Sequence, residues 1–215
     1  MKGCSTNILD LSQRKQIMNH NDKWLNRWLP LIKKKCAEKS LLEIGCGWGW
    51  DTKLLVDAGV SVIGIDMSEE YLDQAKALVP EATFLHQDMQ QKFPGENKYN
   101  VIVASLSMHY MTWENTVKMI SRVKDSLTGD GLFLCRVNSV NDINYGAVGN
   151  PEVDRHYYLV DGKLKRFFDK NDVKELFDSG WNILSLEEHT IDRFEKPKVV
   201  WEVISEKNQD LRSMR

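Results

Sequence analysis

Leu41-Leu42-Glu43-Ile44-Gly45-Cys46-Gly47-Trp48-Gly49 runs from a short apolar segment into alternating glycines. An apolar run this short fits a buried strand. Glycine at alternate positions permits a tight turn and lets a ligand approach the backbone. Residues 51–58 read as a helix that Gly59 stops. The unit is strand, glycine loop, helix, and the first turn of such a helix offers unpaired N–H groups. Downstream the alternation continues. Residues 60–65 form a β-branched strand, and Ser68 caps a helix over 69–79 with Glu69 and Glu70 in its first turn. Residues 82–86 and 99–105 are further strands, separated by a polar stretch with Pro94-Gly95 as turn chemistry. Val117, Ile120, Val123 and Leu127 mark a helix over 113–127, Gly129-Asp130-Gly131 a turn, and 132–137 a fifth strand. Strands and helices alternating in this way give an α/β fold, with parallel strands joined by right-handed crossovers.

Before this unit, Leu25, Trp28, Leu29, Ile32 and Cys36 recur at helical spacing, with Pro30 in a first turn. Residues 1–38 are therefore expected to form an N-terminal helical cover. Lys33, Lys34, Lys35 and Lys39 suit the carboxyl end of a helix and a solvated face. The last third differs. Residues 139–151 are rich in Asn and Gly, and 156–160 and 163–168 flank Asp161-Gly162, a hairpin signal. Asp169 caps a helix through Val173, Leu176 and Phe177, and 181–188 and 199–205 read as final strands with Trp181 and Trp201 in the core. The expectation is one domain over residues 1–206, with an inserted loop and hairpin at 139–168 as a lid, and a polar tail at 207–215.

The chain has 215 residues, 42% of them hydrophobic and 28% charged, with 29 Lys and Arg against 31 Asp and Glu. A net charge of −2 supplies no global basic field, which argues against a nucleic-acid partner. No apolar run is long enough to cross a bilayer, and Met1 to Asp10 lacks the apolar core of a signal peptide. Cys4, Cys36, Cys46 and Cys135 include no Cys-x-x-Cys pair and read as free thiols in a reducing cytoplasm. Asn141, Asp142, Asn144, Asp154 and Asp169 show no ligand spacing, so no metal is expected.

The ligand follows from what stands after the loop. Asp66 ends the second strand about 17 positions beyond Gly49 (66 minus 49), near the ~20 of a dinucleotide fold. A carboxylate there accepts from the hydroxyls of a ribose. A dinucleotide fingerprint needs a third glycine where Trp50 stands. That disfavours NAD(P) and favours a ligand with a ribose but no pyrophosphate, such as S-adenosylmethionine.

The stretch from Leu41 to Gly49 resembles the first motif of class I S-adenosylmethionine-dependent methyltransferases. The resemblance extends through Asp66, through His86-Gln87-Asp88-Met89, and into residues 99–110; it covers 39–137 well and the remainder more loosely. It implies a Rossmann-like open sheet, mostly parallel with an antiparallel final strand and helices on both faces. It also implies roles. Gly45, Cys46 and Gly47 pass under the methionine portion, Asp66 holds the ribose and Met67 covers the adenine. Asp88 accepts from the adenine amino group, the Met89 N–H meets a ring nitrogen, and Ser105 lies near the transferable methyl. Trp48 replaces a small residue, so it either narrows the pocket or faces the neighbouring helix.

His109, just past the fourth strand, is the candidate general base, with a packed loop histidine as the alternative. Tyr110, Arg136 and Asn138 are candidate acceptor contacts, against a structural hydrogen-bonding role for the last two. Tyr145, Tyr157, Tyr158 and Phe167, with Arg155 and Lys165, favour a small-molecule acceptor. Protein or RNA acceptors, an NAD(P)-binding oxidoreductase, and a non-catalytic binder of the cofactor are the alternatives.

Overall fold

The computed structural model describes residues 22, 24–37, 39–95 and 98–208. The helix expected within residues 1–21, Cys4, and the tail beyond 208 lie outside the described residues. Seven strands form one sheet in the order β3-β2-β1-β4-β5-β10-β9. They are β1 (Leu41–Ile44), β2 (Val62–Asp66), β3 (Thr83–His86), β4 (Tyr99–Ser105), β5 (Leu127–Asn138), β9 (Trp181–Ile191) and β10 (Lys198–Lys207). The first five pair in parallel, and β10 runs antiparallel to both β5 and β9. The expected Rossmann-like sheet with an antiparallel final strand is present.

Period-two alternation builds the two faces. Along β4, Val101 and Val103 join one apolar cluster while Ile102 and Ala104 join the other. Along β5, Leu132 and Leu134 face one way, and Phe133, Cys135 and Val137 the other. Central parallel strands are buried on both faces, so their sequences read as continuous apolar runs. Helices α1 (Leu29–Cys36) and α2 (Trp50–Asp57) cover one side through Ile32, Cys36 and Leu55. Helices α4 (Trp113–Ser126) and α5 (Lys170–Leu176) cover the other through Met119, Ile120, Val123, Val173 and Leu176. Helix α3 (Glu69–Leu78) links β2 to β3. The strand order reverses between β1 and β4, and in open α/β sheets ligands bind outside the carboxyl ends of the strands at such a switch point.

Local signals act as the sequence implies. Pro30 lies in the first turn of α1, Gly59 ends α2 at φ 85°, and the Ser68 hydroxyl accepts the Tyr71 N–H at 3.3 Å. Asp169 and Asp172 form a reciprocal cap on α5. Asp161 and Gly162, both at positive φ, close the hairpin of β7 (Tyr157–Val160) and β8 (Lys163–Arg166). Trp181 and Trp201 are buried in the core.

Two expectations are corrected. The Gly129-Asp130-Gly131 turn is absorbed into β5. Pairing passes from Tyr99 opposite Leu127 to Val101 opposite Leu132, so the glycines bulge from a ladder that Leu132 rejoins. The Lys35 ammonium holds this bulge through the Asp130 carbonyl at 2.8 Å. The inserted segment is more than a hairpin, because β6 (Glu152–Asp154) adds a third antiparallel strand. Buried Arg166 ties this small sheet down. It donates to the Met111 carbonyl at 3.2 Å and the Arg155 carbonyl at 3.0 Å, and its guanidinium lies over the Tyr157 ring at 4.7 Å.

Gly45 has φ 70°, and a Cβ there would stand 2.3 Å from the Ser107 Cβ; Gly59 has φ 85° with nothing near. Gly45→Ala is expected to lose about 2–4 kcal/mol of stability, combining backbone strain and overpacking. Gly59→Ala should lose only about 1–2 kcal/mol. Urea denaturation of the two variants checks this; equal losses would contradict the steric account.

Candidate active site

The glycine loop is shaped from below. The Ser107 hydroxyl donates to the Ile44 carbonyl at 2.9 Å, occupying the space a side chain at Gly45 would need. The Gly45 and Cys46 N–H groups both donate to the Ile65 carbonyl, at 2.8 and 3.1 Å. The loop is thereby laid onto β2. The Cys46 side chain fills the space over Gly64, whose added Cβ would stand 3.0 Å from the sulfur. Burial, with the charges of Glu43 and Asp66, keeps this thiol protonated. Gly47, at φ 54°, has open space above it, where an added Cβ would touch nothing within 4 Å.

The Gly47 N–H donates to Asp66 Oδ2 at 2.9 Å, and the Ser68 N–H donates to Asp66 Oδ1 at 2.9 Å. Two backbone donors thus fix the carboxylate at the end of β2. Each oxygen has a second lone pair for a ligand hydroxyl. Gly49, at φ 80°, caps α2, and an added Cβ would stand 3.1 Å from the Ala75 Cβ of α3. The close-approach glycine is therefore one position before Trp50. Trp48 meets Tyr71 of α3 edge-on, with ring centroids 5.7 Å apart, so its ring faces the neighbouring helix.

Further round the crevice, Met67 is exposed and its carbonyl lies 2.9 Å from His86 Nε2. Asp88 is half-buried and accepts the Gln90 N–H at 2.8 Å. Met89 leans on the core, and its carbonyl receives Arg122 at 3.1 Å.

At the ends of β4 and β5 the side chains bond one another. Arg136 is wholly buried. Its Nε and Nη2 donate to the Ser105 hydroxyl at 3.1 and 2.9 Å, and Nη1 pairs with Asp22 at 2.6 Å. The guanidinium also lies over the Trp24 ring at 4.5 Å. Its donors are spent inside the protein. Asn138 is buried, with its amide turned to the Arg166 carbonyl at 3.4 Å and its Oδ1 without a partner among the described residues. His109 is buried in the 3₁₀ turn Met108–Tyr110, its Nδ1 likewise without a partner. Burial, reinforced by the positive charges of Lys198 and Lys165, pushes its pKa down to about 3. Tyr110 is half exposed beside it, with ring centroids 4.1 Å apart.

The sequence reading quoted Glu43 as a motif letter and assigned it no role. It is buried, receives the Thr52 hydroxyl, and is pushed up to about 8 by burial and by Asp51. Asp51, buried at the start of α2, receives the Trp24 indole N–H at 3.1 Å. Asp22, Trp24 and Asp51 carried no local signal, because their partners lie far away in the chain. His156, Asp169 and Asp172 converge, but cap N–H groups and Arg155 already occupy their oxygens.

Residues 41–131 match the family described as methyltransferase domain. An uncharacterized methyltransferase of Synechocystis sp. is 33% identical over 96 residues, covering 44% of this chain and 45% of that protein. The chain thus spans less than half the length of that relative. An N-terminal Xaa-Pro-Lys N-methyltransferase 1-B of Xenopus laevis is 28% identical over 155 residues, covering 69% of this chain and 70% of that one. The structure of a SAM-dependent methyltransferase from Methanosarcina mazei superposes with a TM-score of 0.71 at 16% identity, covering 84% of this chain and 98% of the other. The glycine loop, the acid ending β2 and the sheet order form an open α/β arrangement with the loop laid against the second strand. Residues 41–131 are thus similar to a methyltransferase domain, and the chain shares the fold of a SAM-dependent methyltransferase.

The depressed pKa of His109 has a thermodynamic consequence. The ordinary value is 6.5 and the folded one about 3, so between them the unfolded chain binds the extra proton. Stability is therefore lost as pH falls below about 6.5, by up to ~1.4 kcal/mol per pH unit from this group. His109→Gln should flatten that part of the profile relative to wild type. Parallel urea titrations from pH 4 to 7 read the difference; identical slopes would mean that the imidazole is not buried neutral.

Proposed function

We propose that this chain is an S-adenosylmethionine-dependent methyltransferase acting on a small-molecule acceptor. The observation that carries the cofactor reading is the hydrogen bond joining Gly47 to Asp66 beneath open space. It presents loop backbone and an oriented carboxylate to one ligand. Gly45, Cys46 and Gly47 carry the methionine portion, Asp66 the ribose hydroxyls, and Met67, Asp88 and the Met89 N–H the adenine. Ser105 lies toward the methyl, held by Arg136 as a positioning residue. When bound, the cofactor supplies a sulfonium whose methyl is open to in-line displacement.

The protein's part is to orient and to exclude water. Tyr110 and Asn138 Oδ1 face the acceptor side, at the carboxyl ends of β4 and β5. His109 acts there as a neutral imidazole. Burial makes its protonated form costly, so Nδ1 orients an acceptor N–H or O–H and does not store the proton. A near-neutral charge and the tied-down β6–β8 sheet support a small acceptor. The second reading is a peptide amine, favoured by the Xenopus relative, whose name carries that substrate class and of which the match covers 70%.

Calorimetry with S-adenosylhomocysteine tests the cofactor reading. Asp66→Ala should weaken binding about 10- to 100-fold, the worth of charge-assisted hydrogen bonds to two hydroxyls. Unchanged affinity would remove Asp66 from the site, and NADH binding in its place would overturn the class. For the acceptor, labelled cofactor is offered with thiol, amine and hydroxyl compounds and with short peptides. Mass of the products decides between the two readings.

A further inference from the structure

Two lysines from distant segments converge on the turn that carries His109. Lys198 opens β10, and Lys165 lies in β8 of the inserted sheet. The charge of each reaches the buried imidazole, and the charge of Lys165 also reaches Lys198. Lys198 is buried just beyond the end of β5, since Val200 pairs opposite Asn138. Its Nζ donates to Asp142 Oδ2 at 2.8 Å and lies 4.7 and 5.9 Å from the ring centroids of Tyr145 and Phe194. An ammonium has three donors, and among the described residues Asp142 is the oxygen that receives one. Lys165 is half-buried and has no ion-pair partner among the described residues. Two cations thus stand near a buried neutral imidazole, with Asp142 as the carboxylate bonded to one of them. His109 Nδ1, Asn138 Oδ1 and Asp142 Oδ1 are buried there without hydrogen-bond partners among the described residues.

Gathering like charges around a buried group is costly. The backbone nevertheless keeps Lys198 in place. The Asn144 amide donates to the Pro197 carbonyl at 2.7 Å, and the Tyr145 hydroxyl accepts the Lys196 N–H at 2.9 Å and donates to the Lys196 carbonyl at 3.0 Å. The loop that carries Asp142 is therefore laced to the connection that carries Lys198.

We propose that the acceptor bears a carboxylate, held by Lys165 and Lys198. This names the substrate class of the site proposed above and rests on that reading. A carboxylate supplies the single negative charge that two lysines and one aspartate leave unmatched. A phosphate dianion would exceed it. A neutral acceptor would leave Lys165 unpaired, and a cationic one would add to the repulsion. The free acceptors, Asn138 Oδ1 and His109 Nδ1, then take the N–H or O–H of the nucleophile at the other end of the same molecule.

The test uses the full chain, Lys165→Gln, Lys165→Glu, and the double variant Lys198→Gln with Asp142→Asn, which removes the buried pair without leaving one charge alone. Thermal melts establish that each is folded, and the Lys165 variants answer the question if the double variant does not fold. Calorimetry on the S-adenosylhomocysteine complex compares carboxylic acids with their primary amides: mercaptopropionate, aminobenzoate and hydroxybenzoate, each against its amide. The members of a pair share the nucleophile and differ in charge. Wild type is expected to bind at least one acid about tenfold or more tightly than its amide. Lys165→Gln and the double variant each reduce that preference, and Lys165→Glu reverses it, with S-adenosylhomocysteine affinity unchanged. Where a pair is methylated, the preference lies in KM and not in kcat, a split that a purely structural lysine would not produce. Wild type that binds no acid in preference to its amide overturns the proposal, as does a preference that survives in Lys165→Glu. Wild type that fails to bind S-adenosylhomocysteine refutes the methyltransferase reading instead. The two lysines are then judged on the free chain with the same acids and amides.

Discussion

Between β1 and α2 the chain must turn in a space already filled from the neighbouring strand. Ser107, just past β4, holds the Ile44 carbonyl and leaves no room for a side chain at Gly45. The loop is therefore pressed toward β2, where one carbonyl, that of Ile65, receives two successive N–H groups. From that contact the rest follows in order. Cys46 drops over Gly64, Gly47 lifts its N–H to Asp66, and Gly49 brings α2 against Ala75 of α3. Three glycines at positive φ stand in different surroundings: a steric block at Gly45, open space at Gly47, and a close helix contact at Gly49. The open face at Gly47 owes its position to the steric block beneath it.

Burying charge around this loop creates a second constraint, met in two ways. Glu43 sits inside the sheet with Asp51 and Asp66 as like-charged neighbours, and it responds by holding a proton more tightly. Arg136 cannot shed its charge, so it is surrounded by the Ser105 hydroxyl, the Asp22 carboxylate and the face of Trp24. A buried ion so provided for is expensive to disturb, because removing one partner leaves the other uncompensated. The N-terminal segment is thus fastened to the strand ends by electrostatics as well as by apolar contact. Arg193 stands among the same acids, 3.9 Å from both Asp22 and Asp51.

The sequence exposed features that act over short range. Strand runs such as Val101–Ala104 declare themselves by burial on both faces, and Ser68, Asp169 and Asp161-Gly162 by the chemistry of caps and turns. The glycine loop and Asp66 were legible because an acid at a strand end has a fixed relation to the turn before it, and the Gly47 N–H donates to that acid. The reading failed where tertiary contact decides. Gly129-Asp130-Gly131 has turn composition, yet Leu127 pairs with β4 and draws the glycines into a bulge. Asp22 and Arg136 are 114 residues apart, and nothing local marks either as the other's partner. Arg136 and Asn138 were read as facing an acceptor because strand ends do so in this class of fold. Their guanidinium and amide donors turned inward, a choice set by side chains from remote segments.

His109 shows how the same insertion bears on the chemistry. The small β6–β8 sheet holds the turn at Met108–Tyr110 from both sides, through Arg166 on the Met111 carbonyl and the Tyr157 hydroxyl on the Tyr110 carbonyl. Burial, with the positive charges of Lys198 and of Lys165 in β8, lowers the proton affinity of the imidazole. A buried imidazole with so low a proton affinity is a weak proton acceptor near neutral pH. Under the proposed function, the acceptor must arrive ready to attack, or release its proton outward as the methyl is transferred. A thiol, with an ordinary pKa near ~8.5, meets that demand more easily than an aliphatic hydroxyl. An amine does so once it enters uncharged. The burial of one histidine thus orders the acceptor classes by acidity, with the inserted sheet as the element that sets the order.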